Sequence, residues 1–205
     1  MTHIQSLAVH EKKYTAPAIA LHWLIAALII CGFSLGWVMT GIPGFPPFKL
    51  QYYTWHKWIG VTIFVFAVLR VLWRLTHPAP PLQSTVAPWQ RRVAYFTHAL
   101  LYLLMLAIPL SGYLMSLAAG KPVVYLNLIP LPLLIEPNKA LAPLFRTAHL
   151  YLNNLLLGLV ALHVLAVLKH QFVDRDGLLT RMLPTLRAPS SPYPHRIARQ
   201  AVQNK

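Results

Sequence analysis

Acid is scarce in this chain: among 205 residues only Glu11, Glu136, Asp174 and Asp176 carry a carboxylate, and none lies in the middle of an apolar stretch. Cysteine is scarcer still. A single residue, Cys31, excludes an intramolecular disulfide, a cysteine-ligated iron–sulfur cluster and thioether attachment of a c-type haem. Charge of any kind makes up 11% of the chain against 57% hydrophobic residues, and the mean hydropathy of +0.53 belongs to membrane proteins. The net charge of +14 does not point to nucleic acid, because the basic residues flank apolar spans instead of forming an interleaved soluble patch. It reads as membrane topology and attraction to anionic lipid.

What is present is long apolar runs. Four segments, at about 18–39, 55–75, 92–117 and 145–172, are each long enough to cross about 30 Å of hydrocarbon. Together they predict one all-α domain over residues 1–184, an integral membrane four-helix bundle, followed by a basic, Pro-rich cytoplasmic tail at 185–205. The stretch from Gly41 to Pro47 predicts a surface turn, the run from His77 to Pro81 ends the second span, and Pro109 predicts a kink in the third. No small-residue cleavage motif follows the first run, so an uncleaved anchor is expected. Of the 18 lysines and arginines, 13 belong to the N-terminus, the second connection and the C-terminal tail. The positive-inside rule then predicts that both termini are cytoplasmic.

Histidine is the residue that breaks the apolar pattern. His149 and His163 lie fourteen residues apart on a segment, Ala148 to Leu168, that contains no charge. Fourteen residues is close to four turns, so both imidazoles share a face about 21 Å apart along the axis. Ionisable groups inside a bilayer are rare and usually functional. His22 and His163 both fall about 6–8 Å inside the cytoplasmic surface of the apolar slab, and His56 and His149 both sit at the outer ends of their helices. Two histidines from different helices at each of two depths is the minimum for two haems with bis-imidazole ligation. A lone membrane histidine needs only a hydrogen bond to a neighbouring helix. His98 shares the depth of His22 and His163, so depth leaves three residues for two inner positions. As a non-ligand, His98 could bond a haem propionate or take part in proton transfer near a quinone.

Other residues fit a haem bundle. Arg70 follows His56 by fourteen residues, on nearly the same face at the inner layer, where a haem propionate would supply its anion; a snorkelling interfacial arginine is the alternative. Gly60 and Gly158 lack side chains where a flat porphyrin could press. His170, at the inner end of the fourth helix, could meet lipid headgroups or the helix C-terminus. Trp23, Trp55, Trp58 and Trp89 read as interfacial belt residues.

These residues resemble the bacterial di-haem cytochrome b561 family, which is related to the cytochrome b subunits of membrane-bound hydrogenases. The resemblance covers about residues 14–184. It rests on Leu21-His22-Trp23, His56, the RxxxRL pattern ending at Leu75 and the prolines through Pro81. The HALLYLL run from His98, the His149/His163 spacing and the LLTRMLP run ending at Pro184 complete it. The resemblance implies a four-helix bundle in the bacterial inner membrane that holds two non-covalent b-type haems. It pairs His22 with His163 on the cytoplasmic side and His56 with His149 on the periplasmic side, which makes His98 a non-ligand.

The implied activity is electron transfer between a periplasmic donor and quinone, most concretely as a superoxide:ubiquinone oxidoreductase. Five basic residues on the outer face, Lys49, Lys57, Lys121, Lys139 and Arg146, against the single acid Glu136 would steer superoxide inward or equally neutralise the outer haem's propionates. A periplasmic redox protein is the other possible donor. Two further readings stand beside this one: a membrane anchor relaying electrons for a hydrogenase or dehydrogenase, and a transporter or metal-handling protein that uses membrane histidines. The proline-containing 121–139 loop is where substrate or partner specificity is expected.

Overall fold

A computed structural model describes residues 13–81 and 86–184. The basic tail at 185–205, and with it His195, lies outside the described residues, as do His3 and His10. Four helices dominate: α1 (Ala16–Gly41), α2 (Pro47–Thr76), α3 (Pro88–Ala118) and α4 (Leu141–Lys169), with α4 running on into a π turn, His170–Asp174. All four are long and apolar enough to cross a membrane.

Proline marks three of the starts. Its fixed φ suits the first helical turn, where its missing N–H costs nothing, and α1, α2 and α3 each carry one there. This is why α2 begins at Pro47, inside a stretch rich in Gly and Pro, and not near Trp55. Lys49 secures the preceding turn. Its ammonium, only 6% exposed, donates to the carbonyls of Ile42 (2.6 Å) and Gly44 (2.9 Å). At the other end of α3, Gly120 adopts φ +69° and ends the helix, with Lys121 N–H bonded to the Ser116 carbonyl at 2.9 Å.

The long connection that follows contains a small antiparallel hairpin, β1 (Val124–Tyr125) with β2 (Ile129–Pro130). It turns through Leu126 and Asn127, both at positive φ. Trp58 Nε1 donates to the Val124 carbonyl at 2.9 Å, Thr62 Oγ1 meets the Tyr125 hydroxyl at 2.9 Å, and the Tyr113 hydroxyl donates to the Pro132 carbonyl. Trp58 therefore holds the loop as well as lying near the interface.

The helices pack in chain order, α1 on α2, α2 on α3 and α3 on α4. Close approach of α1 and α2 is helped by Gly32, whose missing side chain leaves Ile59 in contact. Two core clusters fill the middle: Ile25, Ala67 and Met105, then Leu104, Ile108 and Leu156. Large apolar side chains such as Ile30, Trp37 and Tyr151 are exposed on the outside, the surface a bilayer would cover. By contrast α4 makes extensive helix contact with α3 alone, and its one buried residue is Leu156.

An even number of spans puts residues 13–15 and 179–184 at one end of the bundle, the terminal end, and the hairpin at the far end. The terminal end is closed by a short 3₁₀ turn, Leu179–Arg181. Arg181, 5% exposed, donates to the Pro81 carbonyl at 3.1 Å, and Trp23 Nε1 donates to the Met182 carbonyl at 2.8 Å. One buried guanidinium thus ties the C-terminal segment to the α2–α3 connection. Arg181→Ala is expected to lower stability by about 1.5–3 kcal/mol, the range for a hydrogen bond from a charged donor, measured as thermal unfolding of the protein in detergent.

Candidate functional site

The five membrane histidines gather into two layers. At the far end, the rings of His56 (α2) and His149 (α4) have centroids 6.3 Å apart with planes at 85°. At the terminal end, His22 (α1) and His163 (α4) are 6.4 Å apart with planes at 74°. His98 (α3) also reaches His163, with centroids only 5.2 Å apart. Both α4 pairings with α1 and α2 therefore cross the seams where helices do not pack. The imidazoles face each other across a gap in the backbone arrangement.

That spacing has a chemical meaning. Two imidazoles in line with one metal between them, each with a bond of about 2 Å and a ring radius of about 1.2 Å, have centroids about 6.4 Å apart. The His22–His163 and His56–His149 pairs have this separation, and His98 and His163 lie closer together. His98 Nδ1 is also held by its own helix, at 2.6 Å from the Ala94 carbonyl, and the residue is exposed where the other four are half-buried.

The far layer shows how the fold aims a ring. His149 Nδ1 lies 3.0 Å from both the Ile108 carbonyl and Ser111 Oγ, while Ser111 Oγ itself donates to Ile108 at 2.7 Å. This leaves Nε2 free, the arrangement in which a ligating histidine is oriented by its other nitrogen. Gly112 makes the room, since a Cβ there would fall 2.9 Å from His149 Cε1. Pro109, which cannot donate an N–H to the helix, sits at the centre of this cradle. On the opposite side His56 rests against Gly36 of α1, and its Nδ1 is buried without a hydrogen-bond partner. A buried ring nitrogen outside normal hydrogen-bond geometry is one that a metal could engage.

An apolar cavity runs between the two far-layer rings, lined by Phe33, Gly60, Ile63, Met105, Pro109 and Leu156 among others. Gly60 and Gly158 both face open space. A paired-imidazole donor set, an apolar lining and glycines without neighbours fit a flat, hydrophobic, iron-bearing macrocycle.

Arg70 lies at the terminal end. Its Nη1 donates to the Ala18 carbonyl at 2.7 Å and its Nε to the Tyr102 hydroxyl at 3.0 Å, and it forms no ion pair with a described acid. His170 is more engaged than its position suggested, with Nδ1 2.6 Å from Asp176 Oδ2 and 3.1 Å from Asp174 Oδ2. The Lys169 ammonium already occupies Asp174 at 2.5 Å. Sequence reasoning missed Ser111, Gly112 and Gly36. Only Gly36 carries a spacing signal that could have found it, one turn from Gly32 on α1.

Comparison with known proteins bears on this geometry. A family model described as prokaryotic cytochrome b561 matches residues 13–185. Cytochrome b561 homolog 2 of Escherichia coli (strain K12) is 35% identical over 181 residues, covering 84% of this chain and 92% of that protein. A Yersinia pestis protein named probable superoxide oxidase CybB is 33% identical over 181 residues, covering 86% of this chain and 99% of that protein. Cytochrome b562 of Cereibacter sphaeroides is 28% identical over 178 residues, covering 84% and 96%.

Gly112→Ala is expected to push the His149 imidazole off its bonds to Ile108 and Ser111, at a cost of about 1–3 kcal/mol. Gly36→Ala, whose Cβ would meet His56 at an ordinary 3.4 Å, should lose less. Thermal unfolding of the two variants measures the difference.

Proposed function

The chain belongs to the prokaryotic cytochrome b561 family, and from that membership we propose that it passes electrons from a periplasmic donor to the quinone pool through two b-type haems. It is a multi-pass electron-transfer protein of the bacterial inner membrane. The observation that carries the two-haem reading is the gap beside α4, bridged by one imidazole pair at each depth. On this reading His22 and His163 hold one haem, His56 and His149 hold the other, and His98 is not a ligand.

Haem held by two imidazoles supplies a one-electron carrier with no open coordination position, which suits electron transfer and not ligand activation. The chain's own residues do the rest. Neutral imidazoles from α1, α2 and α4 provide the nitrogens, Ser111 and the Ile108 carbonyl orient His149, and the Leu104–Ile108–Leu156 cluster keeps the space between the layers dry. The positive-inside rule supports placing the terminal end, with His22 and His163, in the cytoplasmic leaflet.

The most concrete activity is oxidation of superoxide. Two superoxide anions become dioxygen, and their two electrons with two protons convert one quinone to quinol. The name of the Yersinia relative supports this choice, and so does far-end charge. Lys49 is buried on the Ile42 and Gly44 carbonyls and drops out of that field. Lys57 and Lys121 lie within electrostatic reach of each other, so positive charge is concentrated beside the His56 layer.

His163→Ala and His149→Ala are each expected to leave about one haem per chain, and His98→Ala to keep two, by pyridine haemochrome assay of the purified proteins. Two haems retained in either of the first variants would contradict the pairing. Superoxide mixed with the protein alone should reduce its haem rapidly. Lys57→Glu should slow that reduction about tenfold, and added salt should slow the unmodified protein. A protein reduced only in the presence of a hydrogenase or dehydrogenase would be the membrane anchor of such a complex.

A further inference from the structure

At the terminal end a cavity of about 450 Å³ opens between the start of α1 and the last turns of α2. Three cations line it, Lys13, Arg70 and Arg74, and no acid among the described residues does. Arg70 forms part of its wall, aimed by the Ala18 carbonyl and the Tyr102 hydroxyl. Those bonds use two of the five N–H donors of the guanidinium, and three remain. Trp73 makes a firm side wall: its Nε1 donates to Thr15 Oγ1 at 2.9 Å, and its ring stacks on His77 at 4.0 Å with planes at 1°. Fixed donors around a positive cavity with no described acid in its wall are what a phosphate requires.

We propose that this cavity binds the phosphate of an anionic phospholipid headgroup, held by Lys13, Arg70 and Arg74. The choice of a lipid over a soluble phosphate rests on position. The cavity opens at the shared end of two helices long and apolar enough to cross a membrane, Ala16–Gly41 and Pro47–Thr76, and runs from Arg70 out past Lys13 and His77, toward where the headgroups of a bilayer would begin. Anionic lipids are the source of phosphate there, and each basic residue near the surface adds to their attraction. The cavity is also large enough for more than a bare ion. On this assignment Arg70 serves the lipid phosphate and not a haem propionate.

Native mass spectrometry of the haem-loaded protein tests it, with phosphatidylglycerol, phosphatidylcholine and inorganic phosphate as separate probes. One phosphatidylglycerol should be retained per chain at least tenfold more tightly than phosphatidylcholine. Arg74→Ala and Lys13→Ala should each weaken it about fivefold or more, with the haem spectrum unchanged. Arg74→Lys should restore part of the affinity, and Lys169→Ala, which removes a cation bound to Asp174, should have no effect. Equal retention of the two lipids would overturn the proposal. Saturable, Arg74-dependent binding of inorganic phosphate as tight as that of the lipid would assign the cavity to a soluble ligand instead. Loss of haem in Arg74→Ala with lipid retention unchanged would assign it to haem carboxylates.

Discussion

The separation of α4 from α1 and α2 is the constraint on which the rest of the molecule depends. A helix in lipid gains little by avoiding its neighbours, and close packing is the usual source of association between spans. Here α4 rests on α3 alone, while its two histidines reach across the open seams to α1 and α2. Imidazoles held in an apolar gap without partners are costly. Among them, His149 is held by α3, and His56 lies against the Gly32–Gly36 face of α1 with its Nδ1 outside normal hydrogen-bond geometry. Facing nitrogens between helices that do not pack closely are a donor set suited to a metal.

The remaining features hold that gap open at fixed width. Small residues lie where rings must approach backbone, Gly36 behind His56 and Gly112 behind His149. At each end, one buried cation binds carbonyls: Lys49 closes the turn between α1 and α2, and Arg181 draws the C-terminal segment onto the connection after α2. Both are positive charges in a chain with four acids. Lys49 donates to two backbone carbonyls, and Arg181 donates to one at Pro81. The hairpin at Val124–Pro130, tied to Trp58 and Thr62, braces α2 close to the His56 layer.

Much of this was legible in the chain because bilayer thickness imposes a length and because histidine is conspicuous in an apolar run. Helical rise alone grouped His22, His98 and His163 at one depth and His56 with His149 at the other, and those residues do lie beside one another. Rise cannot report azimuth between helices, so it left three histidines for the inner layer, and His98 and His22 both do reach His163, at 5.2 Å and 6.4 Å. Hydrogen bonding across helices was equally out of reach. Nothing in the spacing of Ser111 or Ile108 shows that they meet a ring 38 and 41 residues further on. Lys49 looked like a surface charge because its partners are carbonyls in a turn, and turns made of Gly and Pro carry little pattern. His170 looked solitary because its two aspartates reach it through a π turn and a reversal at Arg175, with φ +52°.

The central proposal is that two imidazole pairs, His22 with His163 and His56 with His149, would each hold one haem iron. An iron bound by two imidazoles and a porphyrin, with no open position, is low-spin when oxidised. Low-temperature electron paramagnetic resonance of the oxidised protein, with iron quantified per chain, tests this most directly. The account predicts low-spin signals only, at about two irons per chain. A single species at one iron per chain, or a high-spin signal from an iron with an open position, would contradict it.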